Sequence, residues 1–197
     1  MSTPAILLAV ALAVWPPLHA AQAITVVIET SIGVIAVDVD PVRAPVTSAN
    51  FLRYVDAKMY DDGRFHRAVR LDNQARKDVL IEVIQGGRHP ERAKAEKGFG
   101  PIPLERTSVT TLTHGDGTIS MARGATADSA SSDFFLCVGP QPALDFGGAR
   151  AGDGQGFAAF GRVTRGMDVV RRIQAGQTND REQLLAPVTI VRVYRQQ

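Results

Sequence analysis

The chain has 197 residues, a size that suits one domain built around a single hydrophobic core. Hydrophobic residues make up 45% of the sequence and charged residues 21%, which argues against disorder and against a coiled coil. The 22 basic and 20 acidic residues leave a formal net charge of +2, too small an excess to favour a nucleic-acid partner bound through its phosphates.

The N-terminal segment is uncharged and apolar. Residues 1–23 contain no Lys, Arg, Asp or Glu, and residues 5–15 form an apolar run of 11 positions. This run is too short to cross a bilayer as a helix but is typical of a secretory signal peptide, and the Ala-Gln-Ala at 21–23 fits a cleavage site. We therefore predict a signal peptide over residues 1–23, cleaved or retained as an anchor, and a mature domain over residues 24–197. The alternative is a buried core helix, which would normally show regularly spaced polar positions.

The mature domain begins with a predicted hairpin followed by a helix. Residues 24–29 alternate between two faces, a turn signal occupies residues 30–33, and a second apolar run covers residues 34–39. These features predict two antiparallel strands. Residues 44–55 contain a proline suited to a first helical turn and apolar residues at helical spacing, so we predict a helix there.

Beyond Tyr60 the sequence consists of short apolar runs separated by Gly, Asp, Asn and Pro, the pattern of a barrel or a sandwich. The predicted strands are Phe65–Val69, Leu80–Gln85, Gly117–Ala122, Asp133–Val138, Gly156–Val163 and Pro187–Tyr194. A second helix is predicted over Met167–Gln174, and long loops over Arg70–Asp78 and Phe146–Gln155. The sequence therefore predicts a mainly β protein with two helices.

The common catalytic and cofactor motifs are absent from the sequence, including a phosphate-binding glycine loop, His-Glu-x-x-His and Gly-x-Ser-x-Gly. The histidines of the mature domain, His66, His89 and His114, are scattered, and we expect neither a metal nor a cofactor. The one cysteine, Cys137, excludes an intrachain disulfide framework. Because it lies in an apolar strand, we predict a buried and unreactive thiol.

An ordered series of seven short motifs is more specific than any one of them. The motifs are Asn50-Phe51-Leu52, Phe65-His66-Arg67-Ala68-Val69, Val83-Ile84-Gln85-Gly86-Gly87, Gly117-Thr118-Ile119-Ser120-Met121-Ala122, Ser132-Asp133-Phe134-Phe135-Leu136, Phe160-Gly161-Arg162-Val163 and Gly166-Met167-Asp168-Val169-Val170. In this order they resemble the cyclophilin family of peptidyl-prolyl isomerases, in particular its exported bacterial members. The resemblance implies a closed eight-stranded antiparallel barrel capped by two α-helices, and an enzyme that accelerates rotation about X-Pro bonds.

The resemblance also implies a set of site residues. Arg67 stands where the family places a guanidinium against the prolyl amide, and Gln85 where it binds the substrate backbone, although a turn-capping role is the alternative for Gln85. Arg123 stands at a further backbone contact, or is exposed to solvent. Strand alternation predicts that Phe134 is buried in the core, since its neighbour points to the other face. The implied apolar lining of the proline pocket is Val83, Ala122, Phe135, Leu144 and Phe157.

The implied reaction needs no nucleophile. The barrier to rotation about an amide is about 18–20 kcal/mol because resonance is lost as the bond twists. A rate increase of about 10⁴-fold requires about 5.5 kcal/mol, whereas a charge-assisted hydrogen bond contributes about 1.5–3 kcal/mol. We therefore expect Arg67 to act together with a dry pocket shaped to the twisted bond.

Several positions depart from the family pattern. Asp133 replaces the usual glutamine before Phe-Phe, and we include it among the substrate-binding residues as a possible partner of Arg67. Glu82 replaces a frequent phenylalanine and is expected to remove one wall of the pocket. Ala143 replaces the tryptophan that holds cyclosporin in eukaryotic members, which predicts weak cyclosporin binding. The segment 70–81 is longer than in compact members and is predicted to be a solvated hairpin or loop, or alternatively a substrate lid.

From these features we predict an exported, periplasmic, monomeric isomerase that acts on proline-containing polypeptides and assists the folding of unfolded exported proteins. Two alternatives remain. Glu82 and Asp133 motivate a catalytically weak proline-peptide-binding module or holdase on the same fold. The second alternative is a β-barrel carrier of a small apolar ligand, which would require a cavity inside the barrel.

Overall fold

The computed structural model describes residues 23–196, in which eight antiparallel strands close into a barrel. The strands are Ile24–Thr30 (β1), Gly33–Val39 (β2), Arg64–Val69 (β3), Val83–Gly87 (β4), Thr118–Met121 (β5), Phe134–Cys137 (β6), Ala158–Arg165 (β7) and Gln183–Arg195 (β8). Around the barrel their order is β1-β2-β7-β5-β6-β4-β3-β8. The predicted barrel is therefore confirmed, whereas the predicted signal peptide lies outside the described residues except for Ala23.

The N-terminal hairpin forms as predicted, with β1 paired to β2 from Ile24 opposite Val39 to Thr30 opposite Gly33. The Thr30 hydroxyl closes the turn, because it donates to the Gly33 carbonyl oxygen (2.6 Å) and accepts from the amide of Ile32 (3.2 Å). Alternation along both strands turns one set of apolar side chains into the barrel, namely Val26, Ile28, Ile35, Val37 and Val39.

Four α-helices accompany the barrel in the described part of the chain: Pro45–Asp56 (α1), Pro90–Ala95 (α2), Thr107–Thr110 (α3) and Met167–Gln174 (α4). The two longer helices are those that the sequence predicts, and they pack on the barrel, α1 against β7 and β8 and α4 against β2, β3 and β4. None of the helices within residues 23–196 is long and apolar enough to cross a membrane.

The N-terminus of α1 is capped from a distant part of the chain. Ala44 precedes the helix and has no side chain that could accept a hydrogen bond. Instead, the Glu105 carboxylate accepts from the amides of Val46 (3.0 Å) and Thr47 (2.7 Å). A carboxylate is favourable at this position because the first helical amides are unpaired and the helix dipole is positive there.

The interior of the barrel is filled with apolar side chains. Phe134 is fully buried, and its ring makes edge-on contacts with Phe51 (5.5 Å between centroids), Tyr60 (5.5 Å) and Phe65 (5.8 Å). Other fully buried members of this cluster are Ile28, Ile84, Ile119, Met121, Leu136 and Phe160. The predicted core position of Phe134 is confirmed, and the small-ligand carrier, which requires a hollow barrel, is wrong.

The starts of β4 and β8 differ most from their predictions, whereas the other strand boundaries agree to within two residues. β4 begins at Val83 rather than at Leu80, because the backbone of Ile81 is bound by a side chain. The Gln74 amide accepts from the Ile81 amide (3.2 Å) and donates to its carbonyl oxygen (2.9 Å), so this residue does not join a strand. β8 begins at Gln183 rather than at Pro187, and its pairing with β3 contains an irregularity.

The short helices α2 and α3 were not predicted. α2 has six residues and none of them is buried, so its sequence carries no apolar period. Its start is defined by Pro90 and by His89, whose ring nitrogen accepts from the amide of Glu91 (3.2 Å). Such a helix depends on local capping rather than on an amphipathic face, which explains why periodicity did not reveal it.

Candidate functional site

An open pocket of about 160 Å³ lies on the outer surface of the barrel. Its lining residues are Arg67, Ile81, Val83, Gln85, Ala122, Arg123, Phe135, Leu144, Arg150 and Phe157. Every residue that the sequence analysis assigned to the site lines this pocket except Asp133. Two larger depressions elsewhere, of about 380 and 630 Å³, are lined mainly by polar residues. Among these three depressions of residues 23–196, the smallest combines apolar walls with the predicted arginine and glutamine.

The apolar wall of the pocket is a second hydrophobic cluster, separate from the barrel interior. It consists of Val69, Ile81, Val83, Phe135, Cys137 and Leu144, with Ala122, Ala143 and Phe157 packed against it. Phe135 faces outwards because its neighbour on β6 faces the core. Its ring meets Phe157 edge-on at 5.6 Å and an angle of 86°. The pocket therefore has a rigid aromatic floor.

A buried histidine supports this floor from behind. The ring of His114 stacks on Phe135 at 5.9 Å and 15°. Its Nδ1 lies 2.7 Å from Asp145 Oδ1 and its Nε2 lies 2.9 Å from Ser120 Oγ. Because Ser120 is fully buried, this Ser-His-Asp arrangement cannot attack a substrate as a hydrolase triad does. We assign it a structural role in holding the pocket wall.

Arg67 lies in a hydrogen-bonded chain at the polar side of the pocket. It pairs with Gln85 across β3 and β4, and its Nη1 donates to Gln85 Oε1 (3.1 Å). On the other side, Nη2 and Nε both donate to Glu182 Oε2, at 2.7 and 3.2 Å. The guanidinium is therefore fixed between a neutral amide and a carboxylate.

Asp133 is not the partner of Arg67, and that expectation is wrong. Its Oδ2 lies 3.5 Å from Gln85 Nε2 and 3.8 Å from His66 Nε2. The carboxylate packs over Gly87, where an added Cβ would collide with it. This position follows from register, since Phe135 is opposite Gln85 and Asp133 precedes it by two residues. Asp133 can act on the site only through Gln85 or His66.

The expected loss of a pocket wall at Glu82 is also wrong. Glu82 points away from the pocket and its Oε1 accepts from Gln174 Nε2 (3.4 Å). Its neighbours Ile81 and Val83 line the pocket instead, and both are buried. The pocket therefore has an apolar wall at this point, formed by Ile81 rather than by the residue at position 82.

Arg123 is held by the long loop at residues 146–155 rather than exposed to solvent. Its side chain is 3% exposed, its Nη2 donates to Asp153 Oδ1 (2.6 Å), and its Nε donates to the Gly156 carbonyl oxygen (2.8 Å). The guanidinium also lies 5.1 Å from the centre of the Phe157 ring. These contacts orient Arg123 at the pocket edge and tie the loop to the barrel.

The segment 70–81 is not a freely solvated loop. Gln74 is buried and binds the backbone of Ile81, as described above. Arg150, from the other long loop, donates through Nη1 to the Val79 carbonyl oxygen (2.8 Å) and to Gln74 Oε1 (3.1 Å). In return, Arg76 donates to the Arg150 carbonyl oxygen (2.8 Å). Burial and then the charge of Arg67 lower the pKa of Arg150.

Sequence reasoning missed three residues of this region: Ile81, Arg150 and Glu182. Ile81 lies where the predicted strand Leu80–Gln85 overlaps the segment 70–81, and Arg150 lies in a predicted loop. Glu182 follows the polar run Asn179-Asp180-Arg181, which is typical of a turn. A polar turn gives no indication of which distant side chain it will contact. Only the closure of the barrel brings Glu182 to Arg67, 115 positions earlier in the chain.

The cysteine has the predicted environment. Cys137 is fully buried at the end of β6, and this burial, with smaller contributions from Asp145 and Asp116, raises the pKa of its thiol well above the ordinary value. A thiol that stays protonated is a poor nucleophile. Across residues 23–196, no three His, Cys, Asp or Glu side chains are grouped as a metal site would require.

Comparison with known proteins relates this fold and pocket to one family. The sequence model described as cyclophilin type peptidyl-prolyl cis-trans isomerase/CLD matches residues 25–195. The chain is 33% identical over 177 residues to peptidyl-prolyl cis-trans isomerase A of Dickeya dadantii (strain 3937), covering 89% of this chain and 85% of that protein. It is 32% identical over 155 residues to a peptidyl-prolyl cis-trans isomerase of Acinetobacter baylyi (strain ATCC 33305 / BD413 / ADP1), covering 79% and 74%.

A solved structure with a lower sequence identity has the same fold. The crystal structure of a cyclophilin type peptidyl-prolyl cis-trans isomerase from Cryptosporidium parvum matches with a TM-score of 0.70 and 19% identity, over 89% of this chain and 98% of that one. The family match extends through the complete barrel and includes every pocket residue named above. The chain therefore belongs to the cyclophilin family and is a peptidyl-prolyl cis-trans isomerase.

Proposed function

We propose that the 160 Å³ pocket receives the proline ring of an X-Pro segment and that Arg67 stabilises the twisted amide. The observation that carries this proposal is the position of the Arg67 guanidinium. It lines an apolar pocket while being held by Gln85 on one side and Glu182 on the other. A fixed cation beside an apolar cleft suits a substrate that is apolar at the proline ring and polar at the preceding amide.

The catalytic step is a rotation, so no covalent bond forms or breaks. As the C–N bond twists, conjugation is lost and the nitrogen becomes pyramidal with a localised lone pair. An N–H of Arg67 directed at that nitrogen interacts more strongly with the twisted state than with the planar one, which is the requirement for catalysis. The floor formed by Phe135 and Phe157 excludes water and so strengthens the interaction.

Gln85 is proposed to hold the substrate backbone. Its Oε1 already accepts a hydrogen bond from Arg67, and its Nε2 lies at the limit of hydrogen-bond distance from Asp133, at 3.5 Å. The amide nitrogen carries two N–H groups, so one can donate to a substrate carbonyl oxygen while the other stays directed at Asp133. Asp133 then contributes by orienting the Gln85 amide. Arg123, at the rim of the pocket, is a further backbone contact in this proposal.

We expect the dipeptide segment Ala-Pro, within a short blocked peptide, to perturb the backbone amide NMR signals of the pocket strands. The largest shifts are expected at Gln85, Ala122 and Phe135, because these residues line the pocket on three different strands or strand ends. A peptide with Ala-Ala at the same positions is the control and should shift these signals much less. Equal shifts from both peptides, or shifts around a different depression, would contradict this assignment of the pocket.

The structure does not bear out the two observations that motivated the non-catalytic alternative. A binding module or holdase was considered because Glu82 and Asp133 were expected to damage the pocket. Neither side chain lines it: Glu82 binds Gln174, and Asp133 lies behind Gln85. The pocket wall is completed by Ile81 instead. These placements favour turnover over passive binding.

We further propose that residues 1–23 direct export and that the enzyme acts as a monomer on unfolded exported proteins in the periplasm. Support comes from the uncharged N-terminal segment, from the apolar run of 11 positions, and from the start of the family match at residue 25. The segment has no Lys or Arg, so only the terminal amine supplies positive charge at its start. The cleavage pattern ends immediately before the first strand of the barrel.

When the full chain is expressed in a Gram-negative bacterium, we expect the periplasmic fraction to contain a protein that begins at Ile24. Intact mass and N-terminal sequencing measure this directly. The matched control is Ala21→Arg, which removes a small residue from the cleavage pattern and should leave an uncleaved precursor. Recovery of the complete chain, starting at Met1, from the cytoplasm would show that the segment does not direct export.

A further inference from the structure

We propose that Glu182 is a positioning residue for the isomerisation. Its buried carboxylate binds one edge of the Arg67 guanidinium and leaves the opposite edge, at Nη1, for Gln85 and the pocket. This inference rests on the proposed role of Arg67. It adds a residue to the reaction that lies outside the pocket lining and outside all seven sequence motifs.

The contact between the two side chains is short and shielded. A single oxygen, Glu182 Oε2, accepts from Nη2 at 2.7 Å and from Nε at 3.2 Å. The Glu182 side chain is only 11% exposed, whereas that of Arg67 is 30% exposed. Hydrogen bonds between charged groups are stronger than neutral ones, and two of them at one edge fix the plane of the guanidinium. The exposed part of Arg67 is therefore the part that a substrate can reach.

The backbone is shaped so that Glu182 can reach this position. Phe65 and Arg67 are two residues apart in β3, but their partners in β8, Val188 and Gln183, are five residues apart. The extra residues lie between Gln183 and Val188 and form a bulge, and Glu182 immediately precedes Gln183, the residue at which β8 begins. Bulges of this kind commonly redirect a side chain near an active site.

Glu182 also has an uncommon backbone conformation for a residue with a side chain, with φ of +60°. Its backbone is held on both sides, because its amide donates to the Asn179 carbonyl oxygen (3.0 Å) and its carbonyl oxygen accepts from the Ala68 amide (3.0 Å). Ala68 directly follows Arg67 in β3. The left-handed conformation is therefore maintained by the strand that carries the arginine, as expected where the fold holds an unfavourable geometry in place.

The contact with Glu182 assists the reaction by orienting the Arg67 guanidinium before the substrate binds. A free arginine side chain has about 2 kcal/mol of rotamer entropy to lose when it is fixed. In this protein that loss has already occurred on folding, so substrate binding need not supply it. The carboxylate also offsets part of the positive charge of Arg67. Glu182 thus fixes the direction of the Arg67 N–H groups, although it weakens the positive electric field that Arg67 produces in the pocket.

A four-variant cycle tests the proposal: wild type, Glu182→Ala, Arg67→Ala and the double variant, each assayed for isomerisation of a short X-Pro peptide. We expect Glu182→Ala to lower kcat by roughly tenfold with little change in KM, since a misdirected catalytic group reduces turnover. In the Arg67→Ala background the same substitution should cause no further loss. Glu182→Gln should remain within about threefold of wild type, because its amide oxygen can accept the same two N–H groups.

The control is Arg181→Ala, which removes an exposed side chain from the neighbouring position and should leave kcat unchanged. Thermal unfolding of each variant checks the fold. Should Glu182→Ala not fold, Glu182→Asp takes its place, since the shorter carboxylate cannot keep both contacts without moving Arg67. Unchanged kcat in folded Glu182→Ala, or equal losses in both Arg67 backgrounds, would overturn the positioning role. Full activity of Arg67→Ala would instead overturn the proposed role of Arg67 itself.

Discussion

Replacement of Arg67 by alanine should lower kcat/KM for a short X-Pro peptide by roughly ten- to a hundredfold. A charge-assisted hydrogen bond contributes about 1.5–3 kcal/mol, and each 1.4 kcal/mol corresponds to about a factor of ten in rate. Residual activity is expected because the apolar pocket remains. A protease-coupled assay, in which only the trans peptide is cleaved, measures this loss.

The control for this substitution is Arg171→Ala, which removes an arginine on α4 whose side chain is mostly exposed and pairs with Asp116, neither residue being part of the pocket lining. Its activity should equal that of the wild type. If Arg67→Ala is as active as the wild type, the catalytic assignment of Arg67 is wrong. A wild-type protein that binds X-Pro peptides without turnover would favour the binding-module alternative.

The same assay should show little dependence on pH between about pH 6 and 8. An arginine stays charged throughout this range, and a rotation requires no proton transfer. A histidine acting as a general base would instead produce a clear inflection in the profile. A steep change near neutrality would direct attention to His66, which lies beside Asp133.

The substitution with the largest expected effect on stability is Phe134→Ala. We expect it to lower the free energy of unfolding by about 3–5 kcal/mol, the usual range for removal of a buried aromatic ring. Phe134 is fully buried and contacts three other aromatic rings, so the cavity left behind cannot easily collapse. Denaturant unfolding, followed by the far-ultraviolet circular dichroism of the backbone, measures the change in the free energy of unfolding.

Phe135→Ala is a matched comparison, because it removes the same ring from the next position of the same strand. Phe135 packs against the pocket wall rather than in the barrel interior. We therefore expect a smaller loss of stability than for Phe134→Ala, together with a marked fall in kcat/KM. Should Phe134→Ala not fold, Phe134→Leu gives the core comparison. Equal stability losses at both positions would contradict the division into a core face and a pocket face.

Sequence reasoning was most successful where one local rule determines the outcome. Alternation placed Phe134 in the core and assigned Phe135 to the opposite face, and the turn signal at 30–33 identified the first hairpin. The two amphipathic helices were identified by their apolar spacing. The closed barrel was implied by the family resemblance of the seven motifs, each of which lies on a strand or a helix of the fold.

The site was less predictable where its geometry depends on bulges and loop closure. Nothing near Glu182 in the sequence indicates that an irregular β8 will carry it to Arg67. The displacement of Asp133 from Arg67 follows from strand register, which a single sequence does not specify. Ile81 lines the pocket from outside the strand, where the buried Gln74 side chain binds its backbone. In each case a contact between distant parts of the chain decided the result.

The mutual hydrogen bonds between the two long loops have a consequence for engineering. Arg150 binds the segment 70–81 through Val79 and Gln74, while Arg76 in that segment binds the backbone of Arg150. Each loop therefore satisfies polar groups of the other, and both contribute a residue to the pocket. A chimera that receives only one loop would leave these groups without partners, so the two loops should be transplanted together as a single cassette.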